Sequence, residues 1–191
     1  MSSELSLCNQ ALTMLGDITI GSLTEDTKAA KVCNLQYANT RDAIFRSYPW
    51  NCLQRRASLA RSASNPAWGY EYQYQLPADP YCLKVLSMQE HDDDSEVDYV
   101  IEGRYILTDS ETCNILYVAR VTDPNEYDVL LQRAIVAKLA SDIAYSITGN
   151  ATLVQTLFQT YLATVRQARA VDAQEGNPRV LIEDTWLNSR E

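Results

Sequence analysis

A change of hydrophobic period in the middle of the chain constrains the fold more than any other feature. Helical spacing of three and four residues ends at Tyr48, residues 49–122 show the two-residue alternation of strands, and helical spacing returns near Glu126. Pro49 gives the switch a covalent cause, because its ring cannot continue a helix and disfavours the helical conformation of the preceding residue. Two helical segments must therefore pack together across an inserted β unit.

This pattern predicts an α+β fold, a four-helix bundle with a small inserted antiparallel β domain. Two helices in residues 1–48 and two in residues 123–175 form the bundle, and residues 49–122 form the β domain. Residues 176–191 lose the helical period and are predicted to form an extended C-terminal arm. With 191 residues the chain can bury a substantial apolar core without disulfides.

Capping residues predict the helix boundaries. Thr24 or Asp26 is expected to cap the second helix and Asp123 the third. Gly149 is expected to close the third helix, and the fourth spans residues 151–173. Helical spacing also assigns to the core Val129 and Phe158.

Five short strands are predicted in the inserted unit. One of them begins at Cys52. Tyr70, Tyr72 and Tyr74 alternate with polar residues, so phenol rings line one face of a strand. The segments on either side of Gly103 form a short hairpin, with glycine where a positive φ is needed.

The charge balance argues against nucleic-acid binding. Asp+Glu 25 exceed Lys+Arg 16, and the formal net charge of -9 repels phosphate backbones and acidic membrane surfaces. No apolar stretch approaches the ~20 residues of a membrane span, and the first residues lack the features of a signal peptide. We therefore expect neither a membrane segment nor export.

No catalytic constellation is recognisable, and we expect a protein that is not an enzyme and holds no cofactor. The five cysteines are widely spaced without a CxxC pair, which favours reduced, buried thiols over disulfide or metal roles. His91, the single histidine, lies in a run of acids and is more typical of a solvated loop than of a general base.

Acidic residues leave two further chemical roles open. The acids at positions 92–94 and 96 could hold a divalent cation, but the glycine and distal glutamate of a defined calcium loop are missing, so a solvated charge run is favoured. A carboxylate pair acting on glycosidic bonds is also conceivable, although 25 acids leave the pair undefined.

Three arginines and three tyrosines are candidates for contact with other molecules. The arginines could bind DNA phosphate or an acidic neighbouring subunit, and the overall negative charge favours the neighbour. The tyrosines could stack on bases, but aromatic ladders on antiparallel sheets are more often core or protein interface. The predicted subunit-interface residues are Arg55, Arg56, Arg61, Tyr70, Tyr72 and Tyr74.

The C-terminal arm mixes apolar and charged residues. It could leave its own core and dock in the groove of a partner, or its tryptophan could fold back on the bundle. The candidate docking residues are Leu181, Ile182 and Trp186.

Two segments carry a resemblance to a known family. The segment from Arg41 to Arg56 (RDAIFRSYPWNCLQRR) and the segment from Trp68 to Asp79 (WGYEYQYQLPAD), which runs on to Cys82, resemble the tail tubular protein A family. Its members are the head-to-tail adaptor, or connector, proteins of tailed bacteriophages. The order of elements is similar over nearly the whole chain, and the likeness is weakest at the C-terminus.

The resemblance implies a structural virion protein that is made in the host cytoplasm. Its copies would form a ring, expected to be dodecameric, between the portal protein and the tail nozzle, a tail tubular protein B-like protein. The ring would form part of the channel for genome ejection, and DNA would pass through it without specific binding. The resemblance also implies that the C-terminal arm docks on the portal protein.

Two other functions stay open. One is a carboxylate-dependent hydrolase of cell-wall peptidoglycan in the phage tail. The other is a monomeric cytosolic adaptor that binds one partner and never forms a ring.

Overall fold

The computed structural model describes residues 2–89 and 97–175 and confirms the predicted α+β fold. Within these ranges the α-helices are α1 (Glu4–Met14), α2 (Lys28–Ser47), α3 (Val129–Thr148) and α4 (Ala151–Asp172). The strands there are β1 (Gln54–Leu59), β2 (Tyr72–Gln75), β3 (Cys82–Gln89), β4 (Val100–Glu102), β5 (Tyr105–Thr108) and β6 (Cys113–Ala119).

Helix α3 is the centre of the bundle, and each of the other three helices packs on it. Helix α1 runs parallel to α3, since the hydroxyl of Ser2 lies 2.8 Å from the side-chain oxygen of Gln132 near the start of α3. Helix α2 runs antiparallel, because Thr40 donates to Asp142 while the ring of Phe45, further along α2, packs near the start of α3. Helix α4 reverses direction again after Gly149, whose φ of 69° closes α3 as predicted.

Helix α2 begins at a different cap from the two that were predicted. The carboxylate of Glu25 accepts the backbone N–H groups of Gly21 and Ser22, at 2.7 and 2.9 Å, and so holds the preceding residues in a separate turn. The first residue free to cap the helix is Thr27, which accepts the N–H of Ala30 at 3.2 Å. The predicted caps, Thr24 and Asp26, were therefore wrong.

Asp123 was also the wrong cap for the third helix. It caps a short 3-10 turn, Pro124–Glu126, after which Tyr127 is extended. The ring of Tyr127 is buried against Phe45, 5.2 Å between centroids, and its hydroxyl donates to the carbonyl of Val121 at 2.9 Å. Because the backbone must turn this large side chain inwards, α3 starts only after Asp128, which accepts the N–H groups of the next turn.

Among the described residues, six strands form two antiparallel sheets of three, one more strand than predicted. The larger sheet has the order β1–β6–β3 and the smaller β2–β5–β4. The predicted hairpin around Gly103 is the β4–β5 pair, with φ 58° at that glycine. Cys52 lies in a 3-10 turn, Asn51–Leu53, so β1 starts two residues later than expected.

Both sheets share one continuous apolar core with the helices. Trp50 is fully buried where α2 gives way to the sheet, and its indole N–H donates to the carbonyl of Ile44 at 3.2 Å. The ring of Tyr48 meets it edge-on at 4.9 Å between centroids. The break at Pro49 thus places a large aromatic anchor at the point where the two parts of the fold meet.

A hydrogen-bonded clamp ties the same junction to the end of α4. The carboxylate of Asp172, only 5% exposed, accepts the backbone N–H of Asn51 at 3.1 Å, and the side-chain amide of Asn51 donates to the carbonyl of Asp172 at 2.6 Å. Burial raises the pKa of the Asp172 carboxyl, and the N–H of Asn51 offsets only part of that shift.

The predicted core residues were partly wrong, and the predicted state of the thiols was largely right. Val129 is 67% exposed because it occupies the first helical position after the displaced cap, and Phe158 is 41% exposed on the outer side of α4. All five cysteines are free, and four of them are buried. Cys52 is only half-buried.

Trp50→Ala is expected to lower the free energy of unfolding by about 3–5 kcal/mol, because it removes the largest fully buried side chain at the junction. Trp68→Ala is the matched control, since Trp68 is 85% exposed and its loss should change stability by less than about 0.5 kcal/mol. Urea unfolding followed by circular dichroism measures both variants. Equal stability of the two variants would contradict the anchoring role of Trp50.

Asp172→Asn is expected to change how stability depends on pH. The folded protein holds the Asp172 proton in a pH range where the unfolded chain, with a carboxyl pKa of about 3.9, has already lost it. The wild type should therefore lose stability relative to the variant as the pH rises from about 4 through the folded pKa. Urea unfolding at pH 4 and pH 7 measures the difference.

The matched control for this experiment is Asp109→Asn. Asp109 also accepts a backbone N–H, that of Glu71 at 2.9 Å, but it is exposed. The opposite result is that the wild type gains stability relative to Asp172→Asn between pH 4 and pH 7. It would show that the hydrogen bond stabilises the Asp172 carboxylate by more than burial destabilises it.

Candidate assembly surfaces

The three predicted interface arginines lie along β1 and just beyond it, and they have different environments. Arg55 forms an ion pair with Glu126 at 2.9 Å and donates to the carbonyl of Cys52 at the same distance. Its charge is therefore balanced within the chain, and it ties β1 to the turn before α3.

Arg56 and Arg61, unlike Arg55, form no ion pair with a carboxylate of the described residues. Arg56 is exposed on the opposite side of β1 and makes no hydrogen bond or ion pair with another described residue. The guanidinium of Arg61 lies 4.1 Å from the centroid of the Tyr72 ring and donates to Asn65 at 3.2 Å. Of the three arginines, Arg56 is the one best placed to meet a carboxylate of another molecule.

The predicted tyrosines divide between core and surface. Tyr74 is 1% exposed, pairs with Ile106 across the sheet and donates its hydroxyl to the carbonyl of Ser110 at 2.9 Å. Tyr72 lies on the same face of β2 but is half-buried beneath Arg61. Tyr70 precedes β2 and borders a pocket. Tyr74 thus has a core role, one of the two roles that its alternation allowed.

The outer face of the smaller sheet combines exposed aromatic and apolar side chains with polar ones, and it was not predicted from the sequence. Tyr105 and Val100 are exposed on it between Gln73 and Glu102, and Trp68 is exposed next to them. Together with Tyr70 and neighbouring residues, Trp68 and Tyr105 line a shallow pocket of about 220 Å³. Strand β4, with all three residues exposed, forms an edge of this sheet. Trp68, in the loop segment Pro66-Ala67-Trp68-Gly69, was the one sequence signal for this surface.

Helix α4 carries a long uncharged surface. It packs mainly on α3 through Leu157, Val165 and Ala168. Residues 151–165 include no acidic or basic side chain, although 21% of the whole chain is charged. Solvent-facing helix sides normally carry charge, whereas the centres of protein interfaces are depleted of it.

The outward side chains of α4 are mostly threonine, glutamine and alanine, and Phe158, 41% exposed, lies at the edge of this side. Threonine recurs at every fourth position from Thr152 to Thr164, and successive hydroxyls donate to the carbonyl one turn earlier at 2.8–3.1 Å. The single donor of each of these hydroxyls is thus used within the helix, which lowers the polarity of the surface that the threonine side chains present. We call this surface, defined by Thr156, Gln159, Thr160 and Ala163, the α4 face.

A second, smaller uncharged surface lies on α2. Residues 32–40 include no charged side chain, and Leu35 is 69% exposed on that helix, flanked by the exposed Asn34, Ala38 and Asn39. We call this the α2 face. The two faces differ in shape and composition.

Within residues 2–89 and 97–175, no three His, Cys, Asp or Glu side chains are placed to hold a metal ion. Burial raises the pKa of Cys113 and of Tyr127 to about 12 in each case, but both groups belong to the core. His91, the acids at 92–94 and 96, and the arm residues Leu181, Ile182 and Trp186 lie outside the described residues.

Comparison with known proteins does not assign a family. No protein-family model matches the chain, and no curated protein is significantly similar to it. Among the helices of the described residues, none has the combination of length and apolar character needed to cross a membrane.

Tyr74→Phe is expected to lower the free energy of unfolding by about 1 kcal/mol, because it leaves the buried carbonyl of Ser110 without its donor. Tyr70→Phe removes the hydroxyl of a half-buried tyrosine with no hydrogen bond to another described residue and should leave stability unchanged. Thermal unfolding compares the two. If Tyr70→Phe were the more destabilising variant, the assignment of Tyr74 to the core hydrogen-bond network would fail.

Proposed function

We propose that this chain is the subunit of a connector ring in a tailed-bacteriophage virion, placed between the portal protein and the tail nozzle. The observation that carries the proposal is the uncharged α4 face, a surface suited to contact with another subunit rather than with water. The segments from Arg41 to Arg56 and from Trp68 to Asp79 support the same function through their resemblance to head-to-tail adaptors.

A ring needs contacts in which one face of a subunit meets a different face of the next. The α4 face and the α2 face are two such surfaces on one bundle, and they differ in length and side chains. In our proposal the α4 face of one copy packs against the α2 face of its neighbour, with Leu35 as the apolar anchor. Helix α4, with 22 residues, is about 33 Å long, enough to extend the contact along the bundle.

The other surfaces are assigned to the other partners of the ring. The outer face of the smaller sheet, with Trp68 and Tyr105, is proposed to meet the tail nozzle protein, since exposed aromatic side chains are frequent anchors of interfaces. The C-terminal arm, with Leu181, Ile182 and Trp186, is proposed to dock on the portal protein.

The net charge of -9 suits passage of DNA through the ring. A wall of basic residues would release counterions from the DNA and hold it, whereas an acidic wall lets the duplex slide. In this proposal the protein is a structural component and DNA is cargo that it does not grip.

Electron microscopy of the purified protein, alone and mixed with its cognate portal protein, tests the function. We expect rings in the mixture. Thr160→Arg should abolish them, because the substitution would bury an unpaired guanidinium in the subunit contact. Gln10→Arg, which adds the same charge at an exposed position of α1, is the matched control and should assemble as the wild type does.

Urea unfolding of the same variants separates assembly from folding. Thr160 is exposed, so Thr160→Arg should change the free energy of unfolding of the monomer by less than about 0.5 kcal/mol. Rings that formed equally well with Thr160→Arg would overturn the role of the α4 face. A protein that bound the portal protein but stayed a single copy would overturn the ring itself in favour of a monomeric adaptor.

A further inference from the structure

A basic groove runs between the helical bundle and the two sheets. It has a volume of about 620 Å³ and lies between α2, the start of β3 and the β4–β5 hairpin. Its charged lining residues are Asp42, Arg46, Lys84, Arg104 and Arg120. Four cations therefore face one carboxylate in a chain whose net charge is -9.

Most of this positive charge is not balanced by carboxylates of the described residues. Arg46 donates to the backbone carbonyl of Leu83, and Arg104 donates to the backbone carbonyl of Cys82 at 2.8 Å. Lys84 is exposed on β3 and makes no hydrogen bond or ion pair within the described part of the chain. Backbone carbonyls satisfy hydrogen-bond donors but do not cancel a full charge, so these three side chains keep their attraction for anions.

The single carboxylate of the groove is already shared. Asp42 lies 2.7 Å from the Nε atom of Arg120 and 2.9 Å from the buried Arg41. The Arg120 contact is an ion pair without hydrogen-bond alignment, since its Nε has no hydrogen-bond acceptor. The groove thus has an excess of positive charge even after its internal ion pair is counted.

Two of the arginines are held in place by one aromatic ring. The guanidinium carbons of Arg104 and Arg120 lie 4.0 and 4.3 Å from the centroid of Tyr81. Cations that are held by stacking and by backbone hydrogen bonds lose little conformational entropy when an anion binds. The groove is therefore preorganised for a ligand with several negative charges.

We propose that this groove binds the acidic segment 90–96 of a second copy of the chain. The segment contains Glu90, Asp92, Asp93, Asp94 and Glu96, so its charge is complementary to that of the groove. This assignment rests on the proposed ring, in which identical subunits lie side by side, and it adds an electrostatic contact to the one made by the α4 face. Complementary charges of this kind increase the rate of association and fix the register of the two subunits.

The probe is a fluorescent peptide with the sequence of residues 89–97, titrated into the full-length protein in the absence of portal protein. We expect saturable binding in fluorescence anisotropy that weakens as salt is added. Lys84→Glu should weaken it about tenfold or more, because the substitution replaces an attraction by a repulsion. Lys28→Glu is the matched control, since it makes the same change of charge at the start of α2, outside the groove, where a carboxylate suits the helix dipole.

Each other outcome overturns a defined part of the proposal. Equal binding to the Lys84→Glu and Lys28→Glu proteins would show that the peptide senses net charge and that the groove is not its site. Binding that appears only after Asp92, Asp93 and Asp94 are changed to Asn would show that the groove holds the segment of its own chain. Duplex DNA that displaced the peptide at equal charge concentration would assign the groove to phosphate backbones instead.

The peptide experiment and the imaging experiment test the two proposals separately. Peptide binding without rings would support the groove as a binding site for segment 90–96 and would contradict the connector function. Suppose instead that the peptide does not bind and that rings still form, also with Lys84→Glu. The connector function would then stand, and the groove would not be part of the subunit contact.

Discussion

The packing of Trp50 at the junction between α2 and β1 is the interaction on which the remainder of the structure depends. The backbone cannot stay helical through Pro49, and the indole ring that follows is buried in the core shared by helices and sheets. Asp172 then binds the backbone N–H of Asn51 and fixes the end of α4 to the same point. The chain entry into the β unit and the last helix of the bundle are thereby held together, although they lie far apart in the sequence.

This shared anchor determines how the candidate surfaces are arranged. Since the sheets and the bundle share one core, the α4 face, the outer face of the smaller sheet and the basic groove belong to one packed body. The groove exists only because α2 and β3 are packed beside each other there. A subunit that presents several different surfaces in a constant relation to one another can form a repeating contact of fixed geometry.

Periodicity predicted the elements well, because the positions of apolar side chains determine which face of a helix or strand is buried. It could not predict the start of α3, since the inward turn of Tyr127 depends on Phe45, more than eighty residues earlier in the chain. Alternation placed Tyr72 and Tyr74 on one face but could not predict their different burial. Tyr74 is buried with its hydroxyl on the carbonyl of Ser110, whereas the Tyr72 ring is only partly covered, by Arg61. The sequence shows that residues 151–165 carry no charge. It does not show which side of α4 packs on α3, and this packing determines which uncharged side chains are exposed.

The proposed contacts divide two physical tasks between them. An uncharged helix face can be buried at little cost in desolvation, but it distinguishes partners poorly because threonine and glutamine side chains accept many neighbours. A groove with unbalanced cations, facing an acidic segment, adds selectivity and orientation while contributing less to affinity once its charges are desolvated. The net charge of the chain is negative and repels copies of itself, whereas the groove is locally positive. In the proposed contact, attraction would therefore favour the orientation that brings segment 90–96 to the groove.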